Sequence, residues 1–504
     1  MTKAVSGTFP IMDPFADSDA RYEALKNVVA QRIMAGTISH SELEDLIDSG
    51  GRDLLCQLYQ NSLTLLAVCE RRVGGVIDAN GVPRNTVEKN HERPLTTIFG
   101  DVDVRRLAYR QRGYENLYPV DAVLNLPIEQ YSLGLRRIAA IEASRGSFED
   151  AVNAIDRTTG AHMGKRQVEE EAQRAAVDFD SFYATSPRPH ANPDDALVLT
   201  VDGKGIRMRH DALRPATAKA AQSTEPSTRL SNGQTPNQKR MAEVGGVYDA
   251  TPVPRTPQDI LSTNDNEDHK TKPAPIAENK WLTASVVENA ATVISQVFDE
   301  AERRDPDHLR TWVVLVDGNN HQIDCILAEA KKRKVEVNIV IDFIHVLEYV
   351  WKAAHSFFHD RDPAAEAWVA EKATAILAGK AGIVAGSIAR KATDLKLDLA
   401  KRQGADDCHD YLEHKKPYLN YNIALAQGWP IATGIIEGAC KTLVKDRFDI
   451  TGARWGLDGA ETVLKLRALR KNGDFDAYWS YHIAQEKHRV HEVRYKNGVI
   501  PQVA

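Results

Sequence analysis

Ala196-Leu-Val-Leu-Thr-Val-Asp-Gly-Lys-Gly205 is the stretch on which the fold turns. An unbroken apolar run of this length reads as a buried strand. It ends on an acid, Asp202, followed by Lys204 between two glycines. A second run of the same form, Trp312-Val-Val-Leu-Val316, ends on Asp317 and Gly318. A third, Val337-Asn-Ile-Val-Ile341, ends on Asp342 and carries His345 one helical turn further on. Helical signals at 283–303, 321–332 and 343–358 alternate with these runs. Further strands are expected at 205–209 and 242–248. The result is an α/β class with a mixed sheet flanked by helices, and ligands in such sheets collect at the carboxyl ends of the strands.

A fourth acid lies far along the chain. Glu437 sits in Thr433-Gly-Ile-Ile-Glu-Gly-Ala-Cys-Lys-Thr-Leu-Val444, which reads as a helix. Two strand-end aspartates and a distant helical glutamate make a candidate carboxylate cage. Hard oxygen ligands suit Mg²⁺, and two such ions can activate a nucleophile and hold a leaving oxygen in phosphodiester chemistry. Taken singly, strand-end aspartates are more often structural, and N-capping alone explains Asp342. The joint pattern of Asp-Gly, Asp-Gly, DxxH and a late helical Glu is more specific. Lys441 and Lys445 follow Glu437 at helical spacing, as surface ion-pair partners or as cations gripping a DNA backbone.

The bulk numbers set limits. A chain of 504 residues exceeds one ordinary domain. No run of 18 apolar residues suggests a membrane span, and the first residues lack the apolar core of a secretory signal. Cys56, Cys69, Cys325, Cys408 and Cys440 are scattered, which fits reduced thiols in cytosol and leaves no CxxC knuckle. The net charge of −6 does not advertise nucleic-acid binding. Locally the balance reverses: eight Lys/Arg face four Asp/Glu both in 201–243 and in 441–472.

Along the chain, 1–80 is a helical N-terminal region, with Ser39 and Glu42 as a capping box. Residues 81–130 hold a β-hairpin turning at Gly100-Asp101, then an irregular segment. Residues 131–183 read as helices. One starts at Ser147 and another near Lys165 after the break Thr158-Thr-Gly-Ala161, a helix-turn-helix-like pattern in which Lys165, Arg166 and Gln167 would touch DNA. An ordinary helical hairpin fits this pattern as well. Residues 184–358 form the first part of the core, after a polar linker at 184–195 and with mobile loops expected at 211–240 and 254–280. A helical insertion follows at 359–428, and 429–504 completes the core and tail.

These segments resemble a known family. Leu95-Thr-Thr-Ile-Phe-Gly-Asp-Val-Asp-Val-Arg105, Tyr118-Pro-Val-Asp121, Thr200-Val-Asp-Gly-Lys204, Val316-Asp-Gly318, Ile341-Asp-Phe-Ile-His345, Gly434-Ile-Ile-Glu-Gly-Ala-Cys-Lys441 and Thr451-Gly-Ala-Arg-Trp-Gly456 carry the likeness. The chain resembles bacterial insertion-sequence transposases of the DDE class, in the Kra-type family related to Mutator-like transposases. The resemblance implies an RNase H-like core with a helical insertion before the last acid. It implies a catalytic, metal-holding triad of Asp202, Asp317 and Glu437 with two Mg²⁺ or Mn²⁺ ions, and an accessory pair, Asp342 and His345. Lys204, Lys441, Lys445 and Arg454 would join the helix-turn-helix residues on DNA. Strand cleavage at transposon ends, then attack of the freed 3′-hydroxyl on double-stranded target DNA, is the implied chemistry. The expected setting is a homodimer or larger synaptic complex in the nucleoid-bearing cytoplasm, with no membrane. The chain lacks the N-terminal cysteine pairs with which some relatives bind zinc. The rival readings are an RNase H-like nuclease without strand transfer and a non-catalytic DNA-binding protein.

Overall fold

The computed structural model describes residues 13–188, 192–222, 238–261, 271–359, 361–450 and 452–502. They divide into two compact units, Met1–Thr185 with Asp474–Ala504, and Ser186–Gly473. Among the described residues no helix is long and apolar enough to cross a membrane.

The first unit is mainly helical with one hairpin. The helices Ala16–Met34 and His40–Cys69 open it, and Ser39 and Glu42 form the capping box on the second. β1 (Thr86–Thr97) and β2 (Gly100–Arg110) pair antiparallel down to Thr97↔Gly100, so the turn is Ile98-Phe99 and not Gly100-Asp101. One face of the hairpin packs Leu95, Val102 and Val104 with Leu63 and Leu126. The segment after β2 is not wholly irregular, because Pro119–Leu124 is helical. Helices Leu133–Arg145, Phe148–Thr158, Lys165–Ala175 and Phe179–Thr185 follow, and Phe475–Val490 returns to this unit. Ser147 and Asp150 cap each other's backbone at the start of the second of these four.

The second unit is built on five strands. β3 (Ala196–Arg207), β4 (Lys239–Ala250), β5 (Ala277–Ser285), β6 (Trp312–Val316) and β7 (Val337–Ile341) lie in the order β5-β4-β3-β6-β7. β4 runs antiparallel to β3 and β5, whereas β3, β6 and β7 are mutually parallel. This three-strand meander joined to two parallel strands is an RNase H-like sheet. β6 is buried at all five positions, which is why it reads as a continuous apolar run.

Two expectations change here. The runs 196–201 and 205–209 are one strand, not two. β4 pairs with β3 as far as Arg207↔Lys239, and neither Gly203 nor Gly205 takes a positive φ, so neither makes a turn. Asp202 is therefore within β3. The parallel ladder to β6, however, stops at Thr200↔Leu315, so Asp202 still stands just past the carboxyl end of that ladder. The second change is β5, which occupies ground expected to be loop to 280 and helix from 283. The helix begins instead at Ala290, capped by Asn289. Its exposed Glu278 and Lys280 are charges that suit an edge strand and hide its period. Of the loops expected at 211–240 and 254–280, residues 223–237 and 262–270 lie outside the described residues, as do 189–191 of the expected linker. Within the described parts of those expected loops, Pro215–Gln222 and Pro257–Leu261 are instead short helices.

Between Phe343–Phe357 and Gly434–Ala439 comes the helical insertion: Pro363–Leu377, Ala381–Asp394, Leu399–Lys415 and Tyr421–Ala426. Its helix Leu399–Lys415 packs on Phe343–Phe357 and buries Ala405, Cys408 and Leu412. The helix Leu457–Asn472 then packs against β5.

Candidate active site

Val316 and Ile341 are paired neighbours at the ends of β6 and β7, so Asp317 and Asp342 leave the sheet side by side. The amide of Asp342 donates to the Val316 carbonyl at 2.8 Å. From that common start the two acids meet different surroundings.

Asp342 is buried, 2% exposed. One oxygen accepts from the Ile344 amide at 3.0 Å, capping the helix Phe343–Phe357. The other accepts from the Thr433 hydroxyl at 2.7 Å. Asp317 is half-buried, and its Oδ1 accepts from the Asn319 amide at 2.8 Å in a local turn. Gly318 follows with φ +100°, where a Cβ would come within 2.9 Å of the Tyr411 hydroxyl oxygen, so only glycine suits the position. Tyr411 in turn donates to the Asp317 carbonyl at 3.2 Å. Burial, with the charges of Asp317 and Asp342 nearby, pushes the Tyr411 phenol up, so it stays a donor at neutral pH. Lys415, one turn after Tyr411 and almost wholly buried, bonds to Asn320 Oδ1. Burial holds its ammonium below the ordinary lysine value, against the pull of Asp317 and Asp324.

Glu437 is on the helix Gly434–Ala439, exposed, one turn after Thr433. The Thr433 hydroxyl lies 2.7 Å from Asp342 Oδ2 and 3.3 Å from Glu437 Oε1, so it stands between the two carboxylates and donates its one proton to the nearer, Asp342. Three residues beyond Glu437, Cys440 donates its thiol to Asp202 Oδ2 at 3.2 Å. Burial, and then the Asp202 charge, push that thiol well up, so it remains protonated. Asp202 Oδ1 accepts from the Gly203 amide at 2.6 Å. Cys440 also begins a π-helical turn, Cys440–Lys445, inside an otherwise continuous helical run. Arg467 donates to the Leu443 carbonyl at 2.9 Å and to the Thr442 carbonyl, serving groups in that widened turn. Asp202 therefore contacts the helical segment that carries Glu437, and Asp317 and Asp342 stand at neighbouring strand ends.

His345 is half-buried, 3.3 Å from Glu348, with its ring near Tyr349 and Tyr411. The two tyrosines stack at 3.9 Å. Lys204, Lys441, Lys445 and Arg454 are exposed. Part of the local basic excess is spent inside: Arg447 is buried against Trp455, and Arg467 serves the π turn. In the other unit, Lys165 begins its helix but pairs with Glu149, and Arg166 pairs with Glu170 at 2.9 Å. Gln167 is half-buried beside Gly164. That helix start carries less free positive charge than its sequence suggests.

Four groups at the site have no motif of their own. Thr433 and Cys440 lie at i−4 and i+3 from Glu437, a helical spacing that could have pointed to them. Tyr411 and Lys415 come from the insertion and are unreadable without its docking. Glu243 also faces Asp202's neighbourhood: burial raises its carboxyl, Gln322 and Arg214 oppose this, and the Asp202 charge adds to the rise. Only the register Gly203↔Glu243 brings it there.

As donors, these carboxylates are hard oxygens that fit Mg²⁺ or Mn²⁺. Among the described residues, no three His, Cys, Asp or Glu side chains are drawn together as one ligand set. Thr433 stands between Asp342 and Glu437, and Cys440 bonds Asp202.

No family model matches the chain. Over 168 residues it is 24% identical to the UPF0236 protein in vanSb 3'region of Streptococcus gallolyticus, covering 33% of this chain. The match takes in 35% of that relative, so the chain spans about a third of its length. Among solved structures, the Drosophila P element transposase strand transfer complex aligns with 69% of this chain and 79% of its own chain, at 9% identity and a TM-score of 0.23.

Proposed function

We propose that the chain is a DDE-type DNA transposase of the Kra-type, Mutator-related family. The observation that carries this reading is the set of acids at the carboxyl end of the parallel ladders of an RNase H-like sheet, Asp202, Asp317 and Asp342, with Thr433 standing between Asp342 and Glu437. Asp202, Asp317 and Glu437 would hold Mg²⁺ or Mn²⁺, which when bound would neutralise charge on the scissile phosphate and favour an oxygen nucleophile.

The chain's own residues supply the rest. Cys440 and the Gly203 amide fix the Asp202 carboxylate from two sides. Tyr411 holds the backbone at Asp317. Asp342 serves inside the protein as a helix cap and as the acceptor that orients Thr433, and His345 stands one turn further along the same helix. The exposed cations Lys204, Lys441, Lys445 and Arg454 are available to phosphates of double-stranded DNA. Lys165, Arg166 and Gln167 are a secondary contact, already partly engaged with acids. Joining two transposon ends to a target would call for at least two copies of the chain.

The test is strand cleavage and strand transfer by the purified chain in Mg²⁺, on DNA carrying the inverted repeats that flank its coding region. Asp202→Asn should bind those ends as the wild type does and cut neither strand. Cleavage by that variant near the wild-type rate refutes the assignment. Cleavage by the wild type without joining to a target would leave a nuclease.

A further inference from the structure

The segment Tyr118-Pro-Val-Asp121 has no part in the site above, yet it lines a cavity of about 210 Å³ in the first unit. At ~30 Å³ per water the space equals roughly seven waters, room for a phosphate and part of an attached sugar. Arg93 of β1, Arg106 of β2, and His491 and Arg494 near the C-terminus share the lining.

The charges do not balance. Arg106 pairs with Asp121 at 2.8 Å and lies 4.3 Å over the Tyr118 ring. Arg494 pairs with Glu115 at 2.7 Å. Arg93 finds only carbonyls, those of Ile128 at 3.2 Å and Glu129 at 3.4 Å, and its buried Nε has no hydrogen-bond partner among the described residues. A guanidinium cannot shed its proton at working pH, and although Arg93 as a whole is half-buried, its buried N–H left unmet is costly. His491 does not add to the charge, because burial keeps its imidazole below the usual histidine range while its Nε2 bonds the Leu126 carbonyl. Burial disfavours the Arg93 cation, the Asp121 charge offsets part of this and Arg106 adds to it, so an anion entering from solvent would relieve what remains. The three guanidiniums come from three separate elements. A tetrahedral oxyanion can accept from all of them, whereas a planar carboxylate is satisfied by one fork.

We propose that this cavity binds a phosphate monoester, on a nucleic-acid strand end or on a free nucleotide, with Arg93 and Arg106 as its donors and Arg494 at its mouth. The site is independent of the carboxylate edge and does not rest on the transposase reading.

Calorimetric titration of the full chain at fixed ionic strength tests it. The probes are inorganic phosphate, thymidine 5′-monophosphate, thymidine, and an octathymidylate with either a 5′-phosphate or a 5′-hydroxyl. Each phosphorylated probe should bind about tenfold or more tighter than its unphosphorylated twin, the scale of one charge-assisted contact. A tighter mononucleotide identifies a free nucleotide as the source, and a tighter oligonucleotide identifies a strand end. Arg93→Gln should erase the difference and Arg93→Lys should keep part of it, with circular dichroism checking the fold. Should Arg93→Gln fail to fold, Arg494→Gln, at a partly exposed position, should still weaken phosphate binding several-fold. Equal binding of phosphorylated and unphosphorylated probes, or a preference unchanged in the folded variants, overturns the proposal.

Discussion

Asp317 and Asp342 start from neighbouring strand ends, and replacing each separates a cap from a candidate ligand. Asp342→Ala removes the N-cap of Phe343–Phe357, at a cost of about 0.5–2 kcal/mol. It also removes the charged acceptor of the buried Thr433 hydroxyl, roughly 1.5–3 kcal/mol for such a bond. That hydroxyl can still turn to Glu437, 3.3 Å away, so the combined loss should be about 2–4 kcal/mol. For a unit of this size, at ~2–4 °C per kcal/mol, the melting temperature should fall by about 5–15 °C. Asp342→Asn is the sharper variant. Asparagine caps a helix as well as aspartate does and can still accept from Thr433, so stability should change by about 1 kcal/mol or less. If Asp342 acts by capping and orienting, Asp342→Asn should cut DNA within about tenfold of the wild type. Asp317→Asn, whose carboxylate bonds only its own turn, should keep its melting temperature and lose roughly 10²-fold or more in cleavage, the usual scale for a lost electrostatic stabiliser. The assays are thermal melting and nicking of a plasmid bearing the transposon ends in Mg²⁺. A folded but inactive Asp342→Asn beside an active Asp317→Asn would falsify this division and move the metal ligands to Asp202, Asp342 and Glu437.

Cys440 should resist thiol reagents in the native chain, because burial and the Asp202 charge keep its thiol protonated; exposed Cys69 should react quickly, as mass mapping after brief alkylation will show. Rapid labelling of Cys440 in folded protein counts against its role as a donor. In the first unit, Arg136 is fully buried and pairs with Glu171 at 2.8 Å and Glu486 at 2.7 Å. Arg136→Ala should destabilise that unit by about 3–5 kcal/mol, as removing one partner of a buried ion pair does, and denaturant melts will measure it. Asp178 is buried, which alone would raise its carboxyl, but bonds from His482 and Arg489 outweigh this and hold it at about 2. A folded value below the unfolded one means that its stabilisation is complete above about pH 4 and fades as pH falls towards about 2. Asp178→Asn should flatten the acid limb of the stability curve in that window, and an unchanged limb would refute the linkage.

The sequence alone determined the parts whose burial is one-sided or complete. β6 and β7 are short, apolar and bounded by Asp-Gly or a helix cap, so both ends were readable. The capping box at Ser39 and the helix after Ser147 follow from local hydrogen-bond chemistry and needed no tertiary context. The acids Asp202, Asp317, Asp342 and Glu437 were legible because polar residues stand at the ends of buried runs or in a helix. Tertiary structure decided the rest. β3 continues through Gly203-Lys-Gly205 because β4 offers backbone partners along its whole length, which a single strand cannot reveal. β5 was hidden because one of its sides is an edge, where charges are favoured over alternation. Which aspartate is buried and which half-exposed also depended on distant chain, since the β7 end is covered by Thr433 and the β6 end by Tyr411 and Lys415. Short-range pattern records what a residue buries. Only the docking of segments a hundred residues away records what it faces, and that sets each carboxylate's partners.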